Sequence, residues 1–147
     1  MKAGLDTNVL IFAHMPSLPD HGRVRRFLVD QLASPDVTLA VTAGILHELV
    51  HIITDPRRFD PPVSMSEAIE LAKLYLSRAN VECLAIDETS MALALEWMDR
   101  HRLGRKRIAD TLLAATLVTH GFDTLITCNP QDFTVFDRLT IVNPREA

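Results

Sequence analysis

Apolar positions recur along this chain with two periods, and each period marks a kind of element. Residues 2–5 form a short strand candidate that stops at Asp6. Asp6 or Thr7 then caps a helix running to about His14. Pro16 and Pro19 break the chain. Beyond them Val24, Phe27, Leu28 and Leu32 share one face of a helix over 20–33. Ser34-Pro35-Asp36 is a turn, and Val37 to Val41 is β-rich. Thr42 opens a helix that carries Ile45, Leu46, Leu49, Ile52 and Ile53 and ends before Asp55-Pro56.

Three prolines and two arginines make 55–63 a loop, the element expected to be most mobile. Ser64 and Glu67 form a capping box for a helix to about Arg78. Val81 to Ile86 is a strand, and Asp87 or Thr89 starts a helix through about His101. Arg102 to Arg107 is a basic connection. Ile108 to His120 is a nearly all-apolar helix closed by Gly121 at the left-handed cap position. Thr124 to Thr127 and Leu139 to Val142 complete the strands. Strands alternating with helices predict an α/β sandwich around a largely parallel sheet, in a single domain over 1–147.

Composition narrows the picture only a little. A chain of 147 residues with 48% apolar and 23% charged residues can bury a real core. Its net charge of −4 excludes a polycationic nucleic-acid coat and leaves room only for local basic patches. Cys83 and Cys128 make no CxxC pair, so both are expected as free thiols in small core positions. No signal peptide or membrane span is visible, and the expectation is a soluble, cytoplasmic protein.

Chemistry enters through the acids. Asp6 closes the first strand, Glu48 lies within Ile-Leu-His-Glu-Leu-Val-His, and Asp110 lies within Ile-Ala-Asp-Thr-Leu-Leu-Ala-Ala. A carboxylate in an apolar stretch is costly unless its charge is compensated. Three such acids suggest one shared compensator, a divalent cation. Oxygen donors without cysteine favour Mg²⁺ or Mn²⁺ over zinc. In open parallel sheets, sites form outside the carboxyl ends of the strands. Asp6 sits at one such end, and Asn129 and Asp132 follow another. An acidic cluster of this kind suits phosphodiester hydrolysis. Arg102, Arg105, Lys106 and Arg107 crowd just before Asp110 and form the candidate path for the phosphates of a nucleic-acid substrate. Phe59 is the candidate for stacking on a base, and Trp97 reads as core or dimer interface.

The order of these blocks is recognisable. Asp-Thr-Asn-Val-Leu-Ile at 6–11, Glu48 within a helix, Ile-Ala-Asp-Thr-Leu-Leu-Ala-Ala at 108–115 and Thr-Cys-Asn-Pro-Gln-Asp-Phe at 127–133 resemble the PIN-domain family. Within it, the match is to VapC-type toxin ribonucleases of toxin–antitoxin pairs. The resemblance implies a three-layer α/β/α sandwich and a Mg²⁺- or Mn²⁺-dependent endoribonuclease. It matches Asp6, Glu48 and Asp110 to the family's principal acids. Its fourth acidic position falls on Asn129, with Asp132 three residues on, which leaves Asn129, Asp132 or a bridging water to complete the site. It further implies an RNA substrate, with transfer RNA a candidate, a homodimer, and a cognate antitoxin as partner.

Two other readings compete. His47-Glu48-Leu49-Val50-His51 reads H-E-x-x-H, which on a helix presents two His to zinc beside a general base, as in a metalloprotease. Thr54 and Arg57 stand where its extended form has Gly and His. The third reading is a catalytically inactive PIN-like RNA-binding module, kept open by Asn129 in place of an acid.

Overall fold

The computed structural model describes residues 1–147, every residue of the chain. Its elements run β1 (Lys2–Leu5), α1 (Thr7–His14), α2 (His21–Ala33), β2 (Thr38–Thr42), α3 (Ala43–Ile53), α4 (Met65–Ser77), β3 (Val81–Leu84), α5 (Glu88–Arg100), α6 (Ile108–Thr119), β4 (Thr124–Ile126) and β5 (Thr140–Val142). Two 3₁₀ turns, Arg105–Arg107 and Pro130–Asp132, were not visible in the apolar pattern. Helix starts follow the capping chemistry: Asp6, Thr42, Ser64 and Asp87 each accept a backbone N–H of the following turn. Gly121 takes the left-handed cap with φ 81°.

The five strands form one sheet in the order β3-β2-β1-β4-β5, every pair parallel. Consecutive residues of β1, β2 and β4 are buried, so both faces of the central sheet are covered. Helices α2, α1, α3 and α4 pack in succession, while α5 pairs with α6. This is the expected sandwich, and its buried apolar residues form one contiguous cluster. No helix is long and apolar enough to cross a membrane.

Close packing fixes where α6 lies. A Cβ on Gly4 would meet the Leu117 side chain at 2.4 Å, so only glycine lets α6 settle this tightly on β1. That approach ties the helix bearing Asp110 to the strand ending at Asp6.

Two local expectations change, and a third is narrowed to one of its alternatives. Cys83 is exposed, because β3 is an edge strand with its middle residues outward. Phe59 is buried, 8% exposed, and so anchors the 55–63 loop to the core and cannot stack on RNA. The loop is further pinned by the Val63 N–H donating to the Ile53 carbonyl. Trp97 is core, stacked on Phe136 with ring centroids 5.2 Å apart.

One part-buried polar pair predicts a pH response. His14 Nε2 lies 2.6 Å from the Tyr75 hydroxyl at the α1–α4 contact. Burial, with nearby Arg25 and His21 adding repulsion, pushes the His14 pKa down to about 4. The unfolded histidine takes a proton near pH 6.5 that the folded one refuses. Stability is therefore full above pH 6.5 and falls as pH drops toward 4, by up to about 3 kcal/mol. Urea unfolding of wild type and His14→Gln at pH 7 and pH 4.5 checks this. The wild type should lose more stability than the variant, and equal losses would remove His14 as the cause.

Candidate active site

The chain runs outward from β1 through β2 to β3, then returns to place β4 on the other side of β1. The carboxyl ends of β1 and β4 therefore flank the point where the strand order reverses, the usual site of a crevice in such sheets. Asp6 follows β1, Thr127 follows β4, and the Asp6 N–H donates to the Ile126 carbonyl at 3.0 Å. A cleft of about 200 Å³ opens here, lined by Asp6, Glu48 and Asp110 together with Thr7, Thr42 and Ile86. Three separate elements supply the three acids: the α1 cap, the middle of α3 and the first turn of α6.

Asp6 is held from several directions. Its Oδ1 accepts the Thr7 N–H at 2.8 Å, and its Oδ2 accepts the Thr127 hydroxyl at 2.9 Å and the Asn8 amide at 3.3 Å. Thr127 Oγ1 in turn accepts from Asn8 Nδ2 at 3.3 Å and from the Asn129 N–H at 3.1 Å. The Thr127 hydroxyl is thus fully engaged, and its proton is directed at Asp6. Asn8 also accepts the Cys128 N–H at 3.0 Å. The sequence assigns Asn8 no role of its own, since within Asp-Thr-Asn-Val-Leu-Ile it reads as an ordinary first-turn polar residue. Its only signal is an amide two residues after a cap, in an otherwise apolar turn.

Electrostatics mark the cluster as under-compensated. Burial raises the Asp6 pKa above the usual carboxylate range, opposed by the Thr127 and Thr7 hydrogen bonds and reinforced by Glu48 and Asp132. Burial pushes Asp110 up to about 6, with Asp6 and Asp132 adding repulsion, Arg107 opposing it and Glu48 adding a little more. The four side-chain ion pairs, Arg57–Asp55, Lys73–Glu70, Arg100–Glu96 and His120–Asp87, use none of these acids. Asp132 thus sits within electrostatic reach of Asp6 and Asp110. Asn129 is exposed, and only its backbone N–H engages the cluster.

No three His, Cys, Asp or Glu side chains surround a single point closely enough to hold an ion as placed. The donor set nevertheless fits a hard divalent cation. It is all carboxylate and without a basic partner in an ion pair; Asp6 and Asp110 are partly desolvated, and Glu48 stands exposed at the rim. Asp6, Glu48, Asp110 and Asp132 are the residues that would hold it.

The basic connection divides in two. Arg102, Arg105 and Lys106 are exposed, beside the N-terminus of α6. Arg107 turns inward: its Nη2 donates to the Asp132 carbonyl, and its Nε is buried without a partner. It therefore ties the Pro130–Asp132 turn to the start of α6.

The H-E-x-x-H pattern separates on folding. The His47 and His51 rings stack on each other, centroids 6.3 Å apart, and line an apolar groove of about 500 Å³ between α3 and α4. Glu48 lines the acidic cleft instead. The helix thus directs the two histidines and the glutamate to different pockets, and no third zinc ligand completes the pair.

Comparison with known proteins agrees with this geometry. The model of the PIN domain matches residues 4–139. Ribonuclease VapC24 of Mycobacterium tuberculosis is 31% identical over 142 residues, covering 95% of this chain and 94% of the relative. The structure of VapBC2 from Rickettsia felis, bound to a DNA fragment from their promoter, superposes with a TM-score of 0.67 at 20% identity, over 97% of this chain and 98% of that one. A toxin–antitoxin complex from Klebsiella pneumoniae superposes with a TM-score of 0.62 at 16% identity, over 97% of both chains. Fold, family model and a relative matched along nearly its whole length all agree: this chain belongs to the PIN-domain family.

Proposed function

We propose that this protein is a divalent-cation-dependent endoribonuclease of VapC type, the toxin of a toxin–antitoxin pair. The observation that carries the reading is the gathering of Asp6, Glu48, Asp110 and Asp132 at the strand-order reversal, with no ion pair to neutralise them. The VapC24 relative supports ribonuclease activity, and the toxin–antitoxin neighbours support an antitoxin partner. A homodimer in the cytoplasm, with RNA as substrate, completes the proposal.

Hydrolysis of a phosphodiester needs water delivered to phosphorus and charge compensated on the phosphate oxygens. A bound Mg²⁺ or Mn²⁺ would supply both, by lowering the pKa of water and by Lewis acidity. Asp6, Glu48, Asp110 and Asp132 are proposed to hold it. Thr127 and Asn8 keep the Asp6 carboxylate oriented and leave Oδ1 with a single backbone partner. Arg107 holds the Asp132 turn against α6. Arg102, Arg105 and Lys106 lie outside the cleft, where they attract the RNA backbone.

The direct test is cleavage of a mixed RNA substrate by protein freed of metal and of any antitoxin, with Mn²⁺, Mg²⁺ or EDTA. Cleavage restored by either ion and abolished by EDTA is expected. Folded protein that binds Mn²⁺ and cuts neither structured nor single-stranded RNA would return the site to the inactive-module reading.

A further inference from the structure

We propose that Arg145 is a positioning residue for the acidic cleft, and that the C-terminal segment around it is a strap on the loop that orients Asp6. The family model ends at residue 139, so this segment lies outside the matched region. The inference rests on the cation-dependent reading of the cleft given above.

Thr127 is the last residue after β4 held by the sheet, its N–H donating to the Val142 carbonyl. Beyond it the chain leaves the ladder, and Cys128 needs partners from elsewhere. Its N–H goes to Asn8 Oδ1 at 3.0 Å, and its carbonyl accepts Arg145 Nη2 at 2.5 Å. Both polar groups of this residue are therefore held by side chains from opposite ends of the chain. One is the Asn8 amide that donates to Asp6 and Thr127.

Arg145 is itself fixed. Its guanidinium lies over the Phe12 ring, 5.6 Å from the centroid. Its carbonyl accepts Arg23 Nη1 at 2.6 Å, and its N–H donates to Asn143 Oδ1 at 3.0 Å. A long, flexible side chain gains little from a single hydrogen bond unless it is already ordered. These contacts order it before it reaches Cys128. The line of hydrogen bonds runs from Arg145 through the Cys128 backbone to Asn8, and from there to Asp6 and Thr127. Arg145 touches no acid of the cleft, so its effect passes through the geometry of 127–129.

The test needs two readouts. In a Cys83→Ser background, where buried Cys128 is the remaining thiol, its reaction with a disulfide reagent reports how firmly the loop is held. Binding of Mn²⁺, followed by electron paramagnetic resonance, reports the cleft. Arg145→Ala should speed the thiol reaction and weaken Mn²⁺ about tenfold, in the range found for groups that orient metal ligands. Arg145→Lys keeps one donor for the Cys128 carbonyl and should recover most of both. Urea midpoints of the three proteins, close to one another, would separate this from general destabilisation. Wild type that binds Mn²⁺ while Arg145→Ala binds it equally well, with unchanged thiol reactivity, overturns the role of Arg145. Wild type that binds no Mn²⁺ overturns the cation reading of the cleft and this inference with it. A Lys variant as impaired as the Ala variant, with a lowered urea midpoint, would leave Arg145 only a packing residue and also overturns the proposal.

Discussion

Asp110→Asn should abolish cleavage and, without metal, make the protein more stable at neutral pH. The two effects have one origin. Asp110 is partly desolvated and faces the charges of Asp6, Asp132 and Glu48, which together hold its pKa up to about 6. The unfolded carboxyl ionises near pH 3.9. Between these values the folded state keeps a proton that the unfolded state has lost. The folded state is therefore progressively disfavoured as pH rises from about 4 to 6, and above about 6 the full penalty stands. The pKa difference alone corresponds to about 3 kcal/mol, and screening at a partly exposed group reduces it to roughly 1 kcal/mol. Asparagine removes the charge and the penalty. The variant should therefore be the more stable apo-protein at pH 7.5, the gap closing below pH 4.

The cost falls on chemistry. Losing a cation ligand forfeits several kcal/mol of charge stabilisation, a fall in rate on the order of a thousandfold. Mn²⁺ should raise the melting temperature of wild type, since binding to the native state alone stabilises it, and leave Asp110→Asn nearly unmoved. Unfolding curves at pH 4 and 7.5, with and without Mn²⁺, read all of this together with an RNA cleavage assay. Wild-type cleavage by the variant, or a variant less stable at every pH, would contradict the assignment of Asp110.

Much of this architecture is legible locally, because local chemistry decides it. Asp6, Thr42, Ser64 and Asp87 precede apolar helical repeats, and a short polar side chain there has a backbone N–H to accept whatever the tertiary fold. Placing Asp6 at a strand end and Asp110 in a first helical turn needs nothing more. Residues whose role depends on distant partners are different. Phe59 sits in a proline-rich loop whose pattern carries no direction, and only the folded core pulls it inward. Cys83 looks like its strand neighbours until the strand order puts β3 at the edge. Arg107 is one of several basic residues in a row, and its inward turn is set by the Asp132 carbonyl 25 positions away. Asn8 meets Thr127 and Cys128 across about 120 residues of chain, a separation the apolar pattern does not encode. The H-E-x-x-H match fails for the related reason that a five-residue motif does not say which pocket each side chain enters.

Thr127→Val should weaken the site while keeping its shape. Valine matches threonine in size, so the buried position stays filled and what is lost is one hydroxyl. That hydroxyl donates to Asp6 Oδ2 and accepts from Asn8 and from the Asn129 N–H. Its removal leaves two donors without their acceptor and Asp6 with a weaker hold on Oδ2. A hydrogen bond to an ionised carboxylate lowers its pKa, so losing the Thr127 bond raises Asp6 further, in a site where burial already raises it. At a given pH less of the Asp6 carboxyl is then ionised. The acid limb of the cleavage profile should move to higher pH, and Mn²⁺ affinity should fall between about 10- and 100-fold. Thr127→Ser keeps the hydroxyl and loses only a methyl group, so it should retain wild-type metal affinity and pH profile at a small cost in packing. The discriminating measurement is the pair of variants assayed together. If serine and valine weaken Mn²⁺ equally, the methyl contact rather than the hydrogen bond supports the cleft. If only valine does, the orientation of Asp6 by Thr127 is what makes the cleft able to bind a cation.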